Sequence, residues 1–365
     1  MKKLACRLLL ILFVFVNAHA MAQQGYAISG TIKDENNQPV KGATIFISGS
    51  QKITSANDAG EFTFYTILPG YYNLSVKMLG YLPYSQNIEI KDKPADLHIS
   101  LKVKTNQLKE VVIGKSKSKD LFMRVFKQQF LGATENGQAC VLLNPGAVNF
   151  STKKEFLMAD ADEFLVVENK NLGYKIRYML KSFWYNAATD RTDYSGDALF
   201  EEMPGTEKMK QKWAKKRLEA YNGSLVHFLR AVYTNTVLKE GFLVYKTYPK
   251  PAKNANDNLV YIDPRPVKFD SLFNVVDTAF LTFKAIPLLV RYDPKQAAKI
   301  VDRKELFSLK GVTMTGKSTL ISFPGNETAI DRKGVFKDYE GMSITGDWGM
   351  SRLGDKVPLE YQPPK

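Results

Sequence analysis

Beyond an N-terminal apolar run the chain has two histidines, His98 and His227, and any chemistry that needs an imidazole must use them. A hydrolytic zinc site brings two His and a Glu together, with the first His and the Glu close in sequence. His98 is followed by Ile99-Ser100-Leu101 and His227 by Phe228-Leu229-Arg230, so neither has a Glu at i+3 or a His at i+4. No G-x-S-x-G elbow offers a serine nucleophile. Cys140 lies in Gly137-Gln138-Ala139-Cys140-Val141-Leu142, which leads into an apolar run. That setting suits a buried, inert thiol better than a nucleophile.

Two further patterns bear on ligands. Gly311 to Ser318 (GVTMTGKS) fits the phosphate-cradling loop G-x-x-x-x-G-K-[ST]. That loop needs a following helix whose amides face the phosphates, whereas Thr319 to Phe323 has a strand-like pattern broken by Pro324-Gly325. Nucleotide binding is not expected. Asp160-Ala161-Asp162-Glu163 and Asp34-Glu35-Asn36-Asn37 have the oxygen density for calcium but do not continue into a D-x-[DN]-x-[DN]-G loop, so turn chemistry accounts for both. No cofactor or metal is expected. One basic cluster remains, with Lys208, Lys210, Lys212, Lys215, Lys216 and Arg217 around Trp213. On a helix, Lys208, Lys212 and Lys215 share a flank, and Met209 and Trp213 point to the apolar side. Lys208, Lys212, Trp213, Lys215, Lys216 and Arg217 are therefore the candidate contact with an anionic surface, weighed against a solvated outer helix face.

The compartment narrows the choice of partner. Lys2, Lys3 and Arg7 precede the apolar run Leu8–Val16, and Ala18-His19-Ala20 and Ala20-Met21-Ala22 offer cleavage sites. Residues 1–22 are thus a secretory signal peptide. Cys6 lies before the apolar run, which argues against lipidation. Removing three basic residues and no acid lowers the formal charge from +14 to about +11 and leaves Cys140 without a partner for a disulfide. No later stretch is apolar for long enough to span a bilayer. The expected location is the periplasm, the outer membrane or the cell surface. The partner is an unidentified envelope component (protein, glycan or anionic lipid) and not nucleic acid.

The chain that must position these groups divides in two. Seven strand-like runs follow one another at Tyr26–Lys33, Ala43–Ile47, Lys52–Ser55, Glu61–Ile67, Tyr71–Met78, Pro83–Ile90 and Asp96–Lys102. Short runs separated by turn residues, with no gap long enough for a crossover helix, imply an antiparallel β-sandwich over residues 25–104. Phe62 and Phe64, and Tyr72, Leu74 and Val76, keep the period of two that gives a strand one buried face. Ser116-Lys117-Ser118-Lys119 suggests that residues 105–119 are a linker. Residues 120–365 then form a second domain. It opens with a helix at Asp120–Leu131, continues with strands at Glu155–Ala159, Glu163–Glu168, Tyr174–Tyr185 and Asp197–Glu202, and reaches a long helical stretch, Glu207–Val237. Asn222-Gly223-Ser224 should split that stretch, with Ser224 capping the second half. Strands return at Phe242–Tyr245, Leu288–Tyr292, Thr319–Phe323 and Met342–Thr345. The expected class is mainly β: a seven-stranded transthyretin/Ig-like sandwich, then an α+β domain with antiparallel sheet.

Ile28-Ser29-Gly30-Thr31-Ile32, Pro39, Gly42-Ala43-Thr44-Ile45, Thr54, Asn57-Asp58-Ala59-Gly60-Glu61-Phe62, Pro69 to Leu74 and Gly80-Tyr81 occur in the order seen in the carboxypeptidase regulatory-like domain. The first domain resembles that transthyretin-type sandwich of exported Bacteroidota proteins. The resemblance implies a non-catalytic module that travels without a peptidase. Gln107 to Gly114 resembles the segment joining such a domain to the plug of a TonB-dependent receptor. About 250 residues follow, too few for a plug and a 22-stranded barrel, so a receptor is not expected. In the second domain, Leu142 to Pro145, Phe164 to Asn169, Leu172 to Ile176, Ala220 to Leu229 and Glu240-Gly241-Phe242 resemble a region that accompanies the regulatory-like domain in many such proteins. That resemblance implies location and architecture, not an activity. The chain is thus expected to be a non-catalytic binding, docking or structural module. The alternatives are an envelope hydrolase using second-domain carboxylates or a peripheral binder of anionic lipid or lipopolysaccharide.

Overall fold

The computed structural model describes residues 25–104, 116–249, 260–267, 273–275, 279–303, 317–323, 325, 327–337 and 342–364. The signal peptide, most of the linker, the receptor-like segment and residues 311–316 of the GKS pattern lie outside them. All seven expected strands of the first domain form: β1 (Tyr26–Asp34), β2 (Thr44–Ile47), β3 (Ile53–Ser55), β4 (Glu61–Ile67), β5 (Gly70–Lys77), β6 (Tyr84–Ile90) and β7 (Ala95–Leu101). They make two sheets in the orders β4-β1-β7 and β3-β2-β5-β6. Ile28, Ile32, Ile45, Phe62, Phe64, Leu74, Val76 and Ile99 fill the space between. The alternation of buried Phe62 and Phe64 with less buried neighbours shows why period two predicted the buried faces. One pairing departs from an all-antiparallel sandwich: β7 runs parallel to β1. It enters from β6 in the opposite sheet, so no hairpin constrains its direction.

The second part opens with α1 (Ser116–Leu131), so Ser116 to Lys119, expected as linker, are the first helical turn. A short α2 (Glu135–Gln138) leads into β8 (Cys140–Leu142), β9 (Val148–Lys153), β10 (Phe156–Ala161), β11 (Leu165–Asn169), β12 (Tyr174–Asn186) and β13 (Arg191–Glu202). The thirteen-residue β12 organises this sheet. Its first part pairs with β11, its last part with β10, and its other edge with β13. Phe126 and Phe130 of α1 pack on the sheet through Phe183, Tyr178 and Tyr194, with ring centroids 4.8–5.3 Å apart. Each such ring contributes about 1.5–3 kcal/mol of burial.

The long helical stretch divides where expected, into α3 (Glu207–Tyr221) and α4 (Leu225–Tyr233), and the Ser224 hydroxyl accepts from the His227 N–H at 3.2 Å. α4 ends at Tyr233, short of the expected Val237. The last sheet has the order β15-β14-β18-β19-β21. Its strands are β14 (Phe242–Pro249), β15 (Val260–Pro266), β18 (Leu288–Tyr292), β19 (Ser318–Ser322) and β21 (Ser343–Gly346). A smaller sheet joins β16 (Phe273–Val275), β17 (Phe280–Lys284) and β20 (Glu327–Asp331). α5 (Pro294–Arg303) and α6 (Asp347–Met350) complete the described elements. Among the described residues no helix is long and apolar enough to cross a membrane.

The sandwich is bonded directly to the second part of the chain. The Gly49 N–H donates to the Ala198 carbonyl at 2.7 Å, and the Phe200 N–H donates to the Ser50 carbonyl at 2.9 Å, which continues β13 onto the sandwich. Phe46, fully buried, packs there with Met179, Leu199 and Phe164. Ser85 donates to the buried carboxylate of Asp197 at 2.7 Å, and Lys181 pairs with the same group at 2.8 Å.

Candidate functional site

Half of the basic cluster is turned to structural use. Trp213 is buried, and its indole N–H donates to the Lys170 carbonyl at 3.0 Å. Its ring lies over Gly173, where φ is +67° and a Cβ would come within 2.1 Å of the indole. Gly173 therefore meets both a backbone and a space requirement. The Arg217 guanidinium bonds both Glu202 oxygens at 2.9 and 2.8 Å and the carbonyls of Leu172 and Gly173, and it stacks 3.9 Å above the Tyr174 ring. Lys216 lies between Glu135 and Glu219, at 3.0 Å from each. The expected interfacial Trp is thus a packing residue, because the helix turns that side onto the 170–174 turn. Lys208, Lys212 and Lys215 stay exposed on one flank without a hydrogen bond or ion pair to the described residues. Met209, expected on the apolar side, is 44 % exposed.

The two histidines are far apart in character. His98 is exposed on β7, where its Nδ1 lies 3.2 Å from the Thr31 hydroxyl. His227 is buried in a ring of Tyr221, Phe242 and Tyr292. Its Nδ1 accepts from the Gly223 N–H at 3.0 Å, so Nε2 carries the proton and donates to Glu240 at 3.2 Å. Burial holds its pKa below the usual histidine value despite Glu240. Both nitrogens are engaged, one with the α3–α4 turn at Gly223 and the other with Glu240 ahead of β14. The Cys140 thiol donates to the Asn136 carbonyl, and burial pushes its pKa up to about 12, which leaves it a neutral thiol. Among the described residues no group of His, Cys, Asp or Glu is placed to hold a metal ion. The Asp34 carboxylate accepts from the N–H groups of Asn36 and Gln38, and Asp162 pairs with Lys104, so the two acidic runs act in a turn and a domain contact. β19 begins at Ser318, so the GKS pattern leads into a strand and not a helix.

A polar junction that periodicity could not reveal lies where the sandwich, α4 and the C-terminal segment meet. Asp331 is fully buried; it accepts from the Tyr71 N–H at 2.9 Å, from Lys333 and Val335 N–H at 2.8 and 3.1 Å, and pairs with the Lys333 ammonium. Lys333 lies 4.1 Å over the Tyr72 ring, and desolvation lowers its pKa. Arg230 donates to the carbonyls of Lys333, Leu359 and Tyr361 at 3.0, 2.7 and 2.7 Å. Leu359 N–H in turn donates to Gly49 at 2.8 Å, and Glu360 accepts from Gln51 N–H. Upstream, the carbonyl of Gly354 accepts from the Asn169 amide at 2.8 Å, where a Cβ would come within 2.5 Å of Gly137. The segment 351–361 thus joins the sandwich, α4 and the turn at Asn169. A signal existed only in Arg230, a charge in an otherwise apolar helix.

Residues 28–113 match the family model of the CarboxypepD_reg-like domain, so the sandwich belongs to that class and the resemblance drawn from its motifs is shown. The match begins inside β1, covers the strands through β7 and runs past the boundary expected at residue 104. No curated protein matches the chain. Among solved structures, a type II cohesin–X–dockerin complex from Acetivibrio cellulolyticus is similar at 21 % identity over 21 % of this chain and 57 % of that one, with a TM-score of 0.20. Hydroxyquinol 1,2-dioxygenase from Pseudomonas putida DLL-E4 is 10 % identical over 23 % and 58 %, with a TM-score of 0.20. A DUF3823 family protein from Bacteroides ovatus ATCC 8483 is 9 % identical over 50 % and 82 %, with a TM-score of 0.19. The chain spans little more than half the length of the first two, and likeness at these scores carries no functional argument.

Proposed function

We propose that this is an exported, non-catalytic binding or docking protein of the cell envelope, in the periplasm or associated with the outer membrane or cell surface. In this reading residues 25–104 are a sandwich mounted rigidly on the body formed by the rest of the chain. The observation that carries it is the engagement of His227, the buried imidazole, whose two nitrogens both hold structure. Its partner is an envelope polymer or protein. Incubating the mature chain with isolated envelope polysaccharide and peptide tests this. Retention without released product supports the reading; product release that disappears on replacing one Asp, Glu or His overturns it in favour of a hydrolase.

The flank of Lys208, Lys212 and Lys215 favours a second reading, attachment to anionic lipid or lipopolysaccharide, because three exposed lysines at helical spacing concentrate charge on one side. Sedimentation with anionic liposomes should then fall when all three become Gln. Unchanged sedimentation would eliminate the reading.

A further inference from the structure

We propose that His227 is an acid-operated latch: a proton taken up at its Nδ1 opens the α3–α4 turn and frees Trp348, which heads the C-terminal segment. The inference goes beyond the binding-module reading and does not depend on it. It rests on which ring nitrogen faces which group. Nδ1 accepts from the Gly223 N–H at 3.0 Å, in a buried hydrogen bond. A proton can sit on Nδ1 only where that lone pair is free, because an imidazolium N–H and the Gly223 N–H would be two donors aimed at each other. The closed form therefore has no place for the proton, and proton uptake and opening of the turn are one equilibrium. Among the described residues the charges acting on the ring are the Glu240 carboxylate, which favours the imidazolium, and Arg230, which opposes it. Tyr221 of α3, Tyr292 of β18 and Phe242 of β14 face the ring as well. Glu240, 3.2 Å from Nε2 and 46 % exposed, gives the open, charged ring a partner at the solvent boundary.

Gly223 passes the change on. Its φ is +77°, and a Cβ there would come within 2.5 Å of the Tyr292 ring, so the residue sits in a tight left-handed turn. Its carbonyl accepts from the Trp348 indole N–H at 2.6 Å. A Gly223 that swings its N–H away from His227 carries this carbonyl with it. Trp348 lies in α6, directly ahead of residues 351–361, with its ring 5.4 Å from that of Phe228 and its backbone N–H on the Thr319 hydroxyl at 3.1 Å. The far end of the segment is held by Arg230, which donates to the Leu359 and Tyr361 carbonyls. The segment is thus tied at one end through Gly223 and at the other through Arg230, and the proton acts on the first tie.

Hydrogen–deuterium exchange of the mature full chain between pH 7.5 and pH 5.0, with labelling times scaled for the intrinsic pH dependence of amide exchange, tests the proposal. Protection of residues 221–228 and 346–351 should fall together, by about tenfold per pH unit below about pH 6.5, while β12 stays protected. His227→Asn keeps an acceptor for the Gly223 N–H that takes up no proton, and should hold both segments closed across the range. Glu240→Gln removes the carboxylate that favours the imidazolium, and should move the midpoint about one unit lower. It carries the test if His227→Asn folds poorly. The proposal is overturned by equal protection at pH 7.5 and 5.0, or by a response that both variants leave unchanged. Opening confined to residues 221–228 would overturn it, as would loss of protection in β12 at the same pH, which marks general acid unfolding.

Discussion

Inside the sandwich, Ile28, Ile45, Leu74 and Ile99 pack in one apolar cluster, whereas its junction with the rest of the chain adds to the apolar contacts of Phe46, Met179 and Leu199 a set of polar groups: buried Asp331 and Asp197, half-buried Lys333 and the carbonyls held by Arg230. The core gains stability from area removed from water, which many arrangements of similar side chains could supply. The junction gains little net energy from each buried charge but penalises every arrangement that leaves one unpaired. An apolar junction alone could slide; the polar groups penalise displaced arrangements.

That contrast can be broken most severely at Asp331. Asp331→Ala strands the half-buried Lys333 ammonium and three N–H donors, and should cost about 3 kcal/mol in chemical denaturation. The double change Asp331→Ala with Lys333→Met should recover a substantial part of that loss. If single and double variants are equally unstable, packing and not the charge pair holds the junction. Arg230→Ala should cost about 2–3 kcal/mol and expose residues 351–361 to limited proteolysis while the sandwich stays intact. Ile45→Val in the core should cost only about 0.5–1.5 kcal/mol, with no new cleavage.

A smaller effect is expected from pH. The folded chain resists protonating His227, whereas the unfolded chain takes up that proton below about pH 6.5. The contribution is therefore complete above that pH and is lost progressively as the pH falls below it. Denaturation midpoints should drop on acidification, and His227→Gln should flatten the drop; an unchanged slope would show that other groups dominate. Smallest of all, replacing Lys208, Lys212 and Lys215 with Gln should change stability by no more than about 0.5 kcal/mol, since the inner residues Trp213 and Arg217 attach α3.

Much of the architecture was legible locally. Period two in Phe62-Thr63-Phe64 marked a buried face, Asn222-Gly223-Ser224 marked a helix break, and the turn motifs marked the sandwich. The long-range contacts were harder to see. Trp213 among lysines has the same composition whether it meets a membrane or a glycine, and only Gly173, forty residues earlier, decides between them. Tyr248 and Tyr261 become a pair only through the register of β14 on β15.

The sequence by itself determined the sandwich, its strands, the helix break capped by Ser224 and the absence of a histidine-centred motif, because these depend on neighbours within a few residues. Only the tertiary structure decided that Arg230 straps the C-terminal segment, that Asp331 holds the Tyr71 backbone 260 residues away, and that half of the basic cluster faces inward. Such contacts join residues whose spacing along the chain carries no information about their distance in space. They form where desolvation forces each buried charge to find a partner, and that search takes place in the folded molecule.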